Sequence, residues 1–226
     1  MFETVIFDWD GTLADTRKVV VASFQNVLKE SKIEISDEFI AQRIGIGTAE
    51  TFKEILLFSK KSFDQALIET FVEKKIQNEI ELSAEAELLD GSKQLLESLH
   101  GKTKLGLASM NDRKVIDHML RITRINPFFK AVFTAEDVTN PKPHPEIFLK
   151  CATKLKSQPE ECVVIEDSFF GVEAAKTAKM KCIAVLTGVH SEDILRKANP
   201  DLIVGSLMER SKILNFILNE KSVVVM

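Results

Sequence analysis

The chain has 226 residues, 45% hydrophobic and 28% charged, with thirty Lys and Arg against thirty-four Asp and Glu for a net charge of −4. That profile excludes disordered, collagenous and coiled-coil architectures and suits one large domain or a core with an insert. It supplies no basic field for nucleic acid or an anionic membrane surface, and no apolar run nears the ~18 residues of a membrane span.

Residues 1–4 carry no positively charged region, so no secretory signal is read and a cytoplasmic location is expected. The odd set Cys151, Cys162 and Cys182 then reads as reduced, buried thiols. Residues 4–9 form the first of six short apolar runs; the others are 104–108, 131–134, 162–165, 182–186 and 202–204. Helical patterns at 112–122, 145–155 and 172–179 alternate with the later runs. Strands that are apolar throughout and alternate with helices predict a Rossmann-like α/β core, a doubly wound parallel sheet covered on both faces.

About ninety residues separate the first two runs, and they read as helix. Ser36 is expected to cap a helix reaching Ile44 that Gly45 ends, and Ser62 with Gln65 has the spacing of a capping box. Behind it, Phe63, Leu67 and Phe71 recur every four residues, as do Ile68, Val72, Ile76 and Ile80. The expected organisation is a core of residues 1–15 and 87–226 with a small α-helical cap, 16–86, inserted after the first strand. Gly91 marks the return to the core. An apolar tail stands at 223–225.

Chemistry gathers at the predicted strand ends, where open α/β sheets bind ligands. The first strand ends Asp8-Trp9-Asp10-Gly11-Thr12. Two carboxylates two residues apart on an extended chain share a side, and a hard divalent cation such as Mg²⁺ relieves their repulsion. The second strand leads to Ser109-Met110-Asn111, with Ser109 at an expected helix N-terminus, either an anion site or an ordinary cap. Next comes Pro141-Lys142-Pro143-His144-Pro145, where three prolines hold one lysine suited to a phosphoryl oxygen. The fourth strand is followed by Glu166-Asp167-Ser168, acids suited to a metal ion. Together they specify a nucleophile, a cation and a clamp for a small dianion.

On these four motifs, in order from the first strand through about Val204, the chain resembles the haloacid dehalogenase superfamily. The similarity is to its phosphotransferase branch with a helical cap, as in phosphoglycolate phosphatases and β-phosphoglucomutase-like enzymes. The resemblance implies that Asp8 becomes an aspartyl phosphate while Asp10 protonates the leaving oxygen and then activates water. It implies that Ser109 and Lys142 hold the phosphoryl group. It also implies that Asp167 binds Mg²⁺ with the Asp8 carboxylate and the Asp10 carbonyl, with Glu166 supporting that metal shell. The expected activity is Mg²⁺-dependent hydrolysis of a small phosphate ester, sugar phosphate or phosphoglycolate-like, by a monomer or small homo-oligomer.

Substrate choice is expected from Gly45-Ile46-Gly47-Thr48 in the cap and from Asn111 on the core side. The family's sugar-phosphate mutases carry an Arg near the place of Thr48 and a His where this chain has Val19 and Val20. Those departures weaken the alternative of a β-phosphoglucomutase-type phosphomutase. A third alternative is a regulatory module phosphorylated on Asp8 without turnover; Asp10 and the cap favour turnover. Lys53 is read as a solvated helix lysine.

Overall fold

The computed structural model describes residues 1–219; the apolar tail at 223–225 lies outside the described residues. The chain runs β1 (Thr4–Phe7), β2 (Ala14–Asp15), α1 (Arg17–Glu30), α2 (Asp37–Ala41), α3 (Thr48–Phe58), α4 (Gln65–Leu82), β3 (Glu87–Leu88), α5 (Ser92–Leu99) and β4 (Lys104–Ala108). It continues α6 (Arg113–Thr123), β5 (Ala131–Phe133), α7 (Glu146–Lys154), β6 (Cys162–Glu166), α8 (Phe169–Thr177), β7 (Lys181–Val185), α9 (Glu192–Lys197), β8 (Leu202–Val204) and α10 (Arg210–Asn219).

Six strands form one parallel sheet in the order β5-β4-β1-β6-β7-β8. The chain builds outward from β1 through β4 to β5, then resumes at β6 on the other side of β1. That reversal makes the edge beyond β1 a topological switch point, where such sheets bind ligands. The strands are apolar on both sides because both faces are covered. Val5, Phe7, Val163, Ile165, Ile183 and Val185 pack beneath α5, α6 and α10. Ile6, Val164, Cys182 and Ala184 face α7 and α8. The three cysteines are free and buried, and burial pushes the Cys162 thiol up to about 12.

Helices α1–α4 leave and re-enter the sheet through a two-stranded antiparallel ribbon in which Ala14 pairs with Leu88 and Asp15 with Glu87. They carry their own apolar cluster, including Phe24, Leu28, Ile40, Phe52, Ile55 and Ile68. Phe52 meets Phe24 at 4.6 Å and Phe71 at 5.2 Å between ring centroids.

Several expected local features differ. Asp64, not Ser62, caps α4: its backbone is extended and its side chain accepts from the Leu67 amide at 2.8 Å. Ser36 caps α2, but the helix stops at Ala41. The chain then turns through Gly45 and Gly47, whose φ values of +106° and +103° cannot continue a right-handed helix. Ser109 is not a helix cap: α6 begins four residues on, with Asp112 in the N-cap position.

Asp201, just before β8, ties three elements together by accepting from Lys176 at 2.5 Å, Lys181 at 2.8 Å and the Cys182 amide at 2.9 Å. Burial pulls its pKa up, but these donors more than offset that and hold it below the ordinary carboxylate value. A depressed folded-state pKa contributes stability above the unfolded value and loses it as pH falls. Asp201→Ala is therefore expected to cost about 1–2 kcal/mol in urea unfolding at pH 7, a charge-assisted bond discounted for partial exposure. The difference from wild type should shrink as pH falls below about 4, around and under the unfolded carboxylate value.

Candidate active site

β1, β4 and β6 lie side by side and end at one edge, so Asp8, Ser109, Glu166 and Asp167 converge by topology alone. Asp8 extends the ladder, its amide donating to the Ile165 carbonyl at 3.0 Å. Trp9 points into the core beneath, which leaves Asp8 and Asp10 on the ligand side.

Lys142 arrives from the loop between β5 and α7. Glu146, in the first turn of α7, fixes that loop by accepting from the Thr139 and Asn140 amides at 3.1 and 3.0 Å. The Lys150 hydrogen bond and those two amides hold the Glu146 carboxyl down at about 2. Lys142 is fully buried and donates to Asp8 Oδ1 at 2.7 Å, Glu166 Oε1 at 2.6 Å and the Ala108 carbonyl at 3.2 Å. Burial opposes its charge, yet Asp8 and Glu166 raise its pKa well above the usual lysine range.

Asp8, Glu166 and Asp167 offer carboxylate oxygens that all lie within 4.8 Å of one another, and all three side chains are buried. Burial raises the Asp8 pKa well above the ordinary carboxylate value, with Lys142 opposing. Burial likewise raises Asp167, helped by the charges of Glu166 and Asp8. One lysine against three acids leaves an excess of negative charge that a divalent ion would neutralise, and an all-oxygen donor set suits Mg²⁺. The free valences divide unequally. Glu166 Oε1 is taken by Lys142, and Oε2 accepts from the Asp167 amide at 3.0 Å and from the Ser168 amide and hydroxyl at 2.9 Å. Among the described residues, Asp167 receives only Thr12 Oγ1, at 3.0 Å, on one oxygen. Asp8 and Asp167 therefore have oxygens open to a metal, whereas those of Glu166 are occupied.

Asp10 accepts from Thr16 Oγ1 at 2.7 Å and from Asn111 Nδ2 at 3.3 Å, with Ser109 Oγ 3.5 Å away. Burial raises its pKa, against the pull of Thr16 and Lys75. Ser109 Oγ accepts the Asn111 amide at 3.0 Å, which orients the hydroxyl beside Asp10. Thr48 donates to Asp112 Oδ2 at 2.7 Å, linking α3 to the core. Gly45, Ile46 and Gly47 lie in the same turn: Gly45 and Gly47 border the small cavity over Asp10, while Ile46 lines the groove outside it. Lys53 pairs with Glu50 at 2.6 Å and is partly exposed, away from the acids.

Three groups escaped the sequence reading. Thr16 carries a hydroxyl to Asp10 from the residue before α1, and its place a few residues after the paired acids was the available signal. Lys75 and Glu79 sit on α4, 1% and 2% exposed, and form an ion pair with each other. Their four-residue spacing was visible, but only as a surface pair. Gly188, after β7, is required by packing: a Cβ there would collide with the Asp167 carboxylate.

The sequence profile of the haloacid dehalogenase-like hydrolases matches residues 5–185, and the chain belongs to that family of enzymes. A Haemophilus influenzae protein is 34% identical over 187 residues, covering 82% of this chain and 92% of its own length. The pyrophosphatase PpaX of Oceanobacillus iheyensis is 29% identical over 208 residues, covering 91% of this chain and 94% of its own. A β-phosphoglucomutase structure from Clostridium difficile superposes with a TM-score of 0.86 at 29% identity, covering 97% of this chain and 98% of that one. The parallel sheet with its helical insertion is thus the family's architecture. Among the described residues, no helix is long and apolar enough to cross a membrane.

Removing the buried cation tests the electrostatics without any ligand. Lys142→Met should destabilise the protein by about 3–5 kcal/mol at pH 7.5, because it leaves carboxylates buried and unpaired. Asp8, and Asp167 beside it, have raised folded-state pKa values, so their protonation favours the folded state and the deficit should narrow as pH falls toward 5.5. Urea titrations at the two pH values measure it.

Proposed function

We propose that the chain is a phosphomonoester hydrolase acting on a small phosphorylated metabolite, with Asp8 as nucleophile. The observation that carries this reading is the Lys142 contact to both Asp8 and Glu166 inside a buried three-carboxylate cluster. A carboxylate bound to a fixed ammonium and open on its other oxygen is placed to attack a phosphoryl group whose oxygens that ammonium also meets. Asp8 and Asp167, with the Asp10 carbonyl, would hold Mg²⁺, and Glu166 would fix Lys142 and the following turn. Bound there, the ion supplies positive charge against the oxygens of the transferring phosphoryl group.

Asp8 forms a bond to phosphorus as the bond from phosphorus to the ester oxygen breaks. Asp10, kept protonatable by burial, delivers its proton to that leaving oxygen. Water then attacks the aspartyl phosphate while Asp10 takes the water's proton, and the Asp8–phosphorus bond breaks to free phosphate. Splitting the displacement at Asp8 gives two easier steps. Ser109 and Lys142 hold the phosphoryl oxygens throughout, and their charge and hydrogen bonds count most where negative charge spreads in the transition state. The helices between Thr16 and Ala86 act as a cap. Over Asp10 they leave a cavity of about 20 Å³, room for about one water, so a substrate enters with the cap displaced.

Turnover of an aryl phosphate with Mg²⁺ is expected, lost on chelation and in Asp8→Asn. Asp10→Ala should lower kcat by about 10²–10⁴, the usual share of general acid–base catalysis. With oxygen-18 water, the released phosphate should carry solvent oxygen. No activity across a broad phosphate panel would contradict the hydrolase reading, and transfer to a sugar without solvent label would point to a mutase.

A further inference from the structure

We infer that the preferred phosphate esters have an uncharged, hydroxyl-bearing leaving group, and that Glu79 sets this preference by neutralising Lys75. This rests on the hydrolase reading and narrows it. The leaving group of an ester attacked by Asp8 lies on the Asp10 side, against the residues that border the small cavity there and that must part to admit it: Asp10, Val20, Phe24, Thr48, Lys75 and Asn111. A second phosphate or a carboxylate there would be a buried anion, which is tolerated only where it is paired.

The cations that border this cavity among the described residues are Lys75 and Arg43, and both are engaged within the protein. Lys75 is ion-paired to Glu79, lies 3.5 Å from Asp112 and donates to Asn111 Oδ1 at 3.0 Å. Arg43 donates from Nε to Glu54 at 2.6 Å and from Nη1 to the Phe39 carbonyl at 2.9 Å, with its guanidinium 3.4 Å from the Phe39 ring centroid. Two cations therefore face Glu79, Asp112, Glu54 and Asp10, which leaves no positive surplus.

What the cavity does offer is hydrogen bonding of both kinds. Lys75 keeps an ammonium donor, and Asp10 can accept. Asn111 stands between them, its Nδ2 donating to Glu79 Oε1 at 2.7 Å and more weakly to Asp10 at 3.3 Å. Hydroxyls, which donate and accept together, satisfy such a mixed set. The apolar Val20 and Phe24 walls suit the carbon skeleton of a polyol or sugar.

Glu79 is a positioning residue, acting through Lys75 and Asn111. Glu79→Gln keeps its size and removes the carboxylate paired most closely with Lys75, which leaves the cavity less hostile to an incoming anion. The test compares kcat/KM for 2-hydroxyethyl phosphate and phosphoglycolate, which differ by a hydroxymethyl against a carboxylate, with Mg²⁺ and an aryl phosphate as reference. Wild type should favour the hydroxyethyl ester by about tenfold or more, equivalent to about 1.4 kcal/mol. Glu79→Gln should shift that ratio toward phosphoglycolate by about tenfold, and Glu79→Asp should restore it. If Glu79→Gln does not fold, Asp112→Asn should shift the ratio the same way, since it also removes a carboxylate facing Lys75.

A purely structural role for Glu79 would lower both rates and leave the ratio unchanged, which overturns the inference. A wild-type preference for phosphoglycolate, or for pyrophosphate over the hydroxyethyl ester, overturns it as well. Turnover of the aryl ester without discrimination sinks this inference alone, whereas turnover of none of these esters sinks the hydrolase reading and this inference with it.

Discussion

Three carboxylates and one lysine, all withdrawn from water, set the terms for the rest of this molecule. An isolated charge at such depth is unfavourable by several kcal/mol, so each of these groups needs a partner. Lys142 supplies one to Asp8 and Glu166 at once. Glu166 is saturated by backbone and hydroxyl donors from the turn that follows it. Asp8 and Asp167 keep unsatisfied capacity, and that remainder gives the site its appetite for a cation and a phosphoryl group. The fold serves this arrangement. Parallel strands bring their ends together, and the switch between β1 and β6 opens the edge where they meet. The Glu146 clamp delivers the lysine from a loop already held in shape.

The same constraint recurs one layer out, with the opposite result. On α4, Lys75 and Glu79 are as buried as the central cluster, but here the charges nearly cancel within the protein. Asn111 joins the two layers, bonded to Asp10 on one side and to Lys75 and Glu79 on the other. The inner layer is built to take up charge, and the outer one to offer hydrogen bonds without it. That difference separates the phosphoryl group, which every substrate of such a site shares, from the leaving group, which distinguishes one substrate from another.

The inner layer was legible in the sequence and the outer layer was not. Asp8, Asp10, Ser109, Glu166 and Asp167 stand at the ends of apolar runs, where a strand end can be read locally, and Lys142 is marked by the three prolines around it. The runs at 104–108 and 202–204 coincide with β4 and β8 because both faces of the sheet are covered, which favours apolar residues on both sides of a strand. Helix α4 is present, but its buried line is Ile68, Phe71, Lys75 and Glu79, which takes one residue from each apolar recurrence and continues through two charged ones. A charged pair reads as solvated unless a partner from another element is known, and Asn111 and Asp112 come from beyond β4. Ser36 caps its helix as expected, but the α4 cap is Asp64 and not Ser62, a choice between neighbouring polar residues that their types do not reveal. Gly188 was silent because its role is set by the Asp167 side chain across the loop.

The most direct test of the account is chemical trapping of the phosphorylated residue. Wild-type enzyme mixed with an aryl phosphate and Mg²⁺, quenched in acid within one turnover and treated with borohydride, reduces any aspartyl phosphate to homoserine. Mass spectrometry of the N-terminal peptide should then find that conversion at position 8, with Asp10 unchanged. Phosphate release with no modification at Asp8, or modification at another residue, would contradict Asp8 as the group that the buried cluster is built to activate.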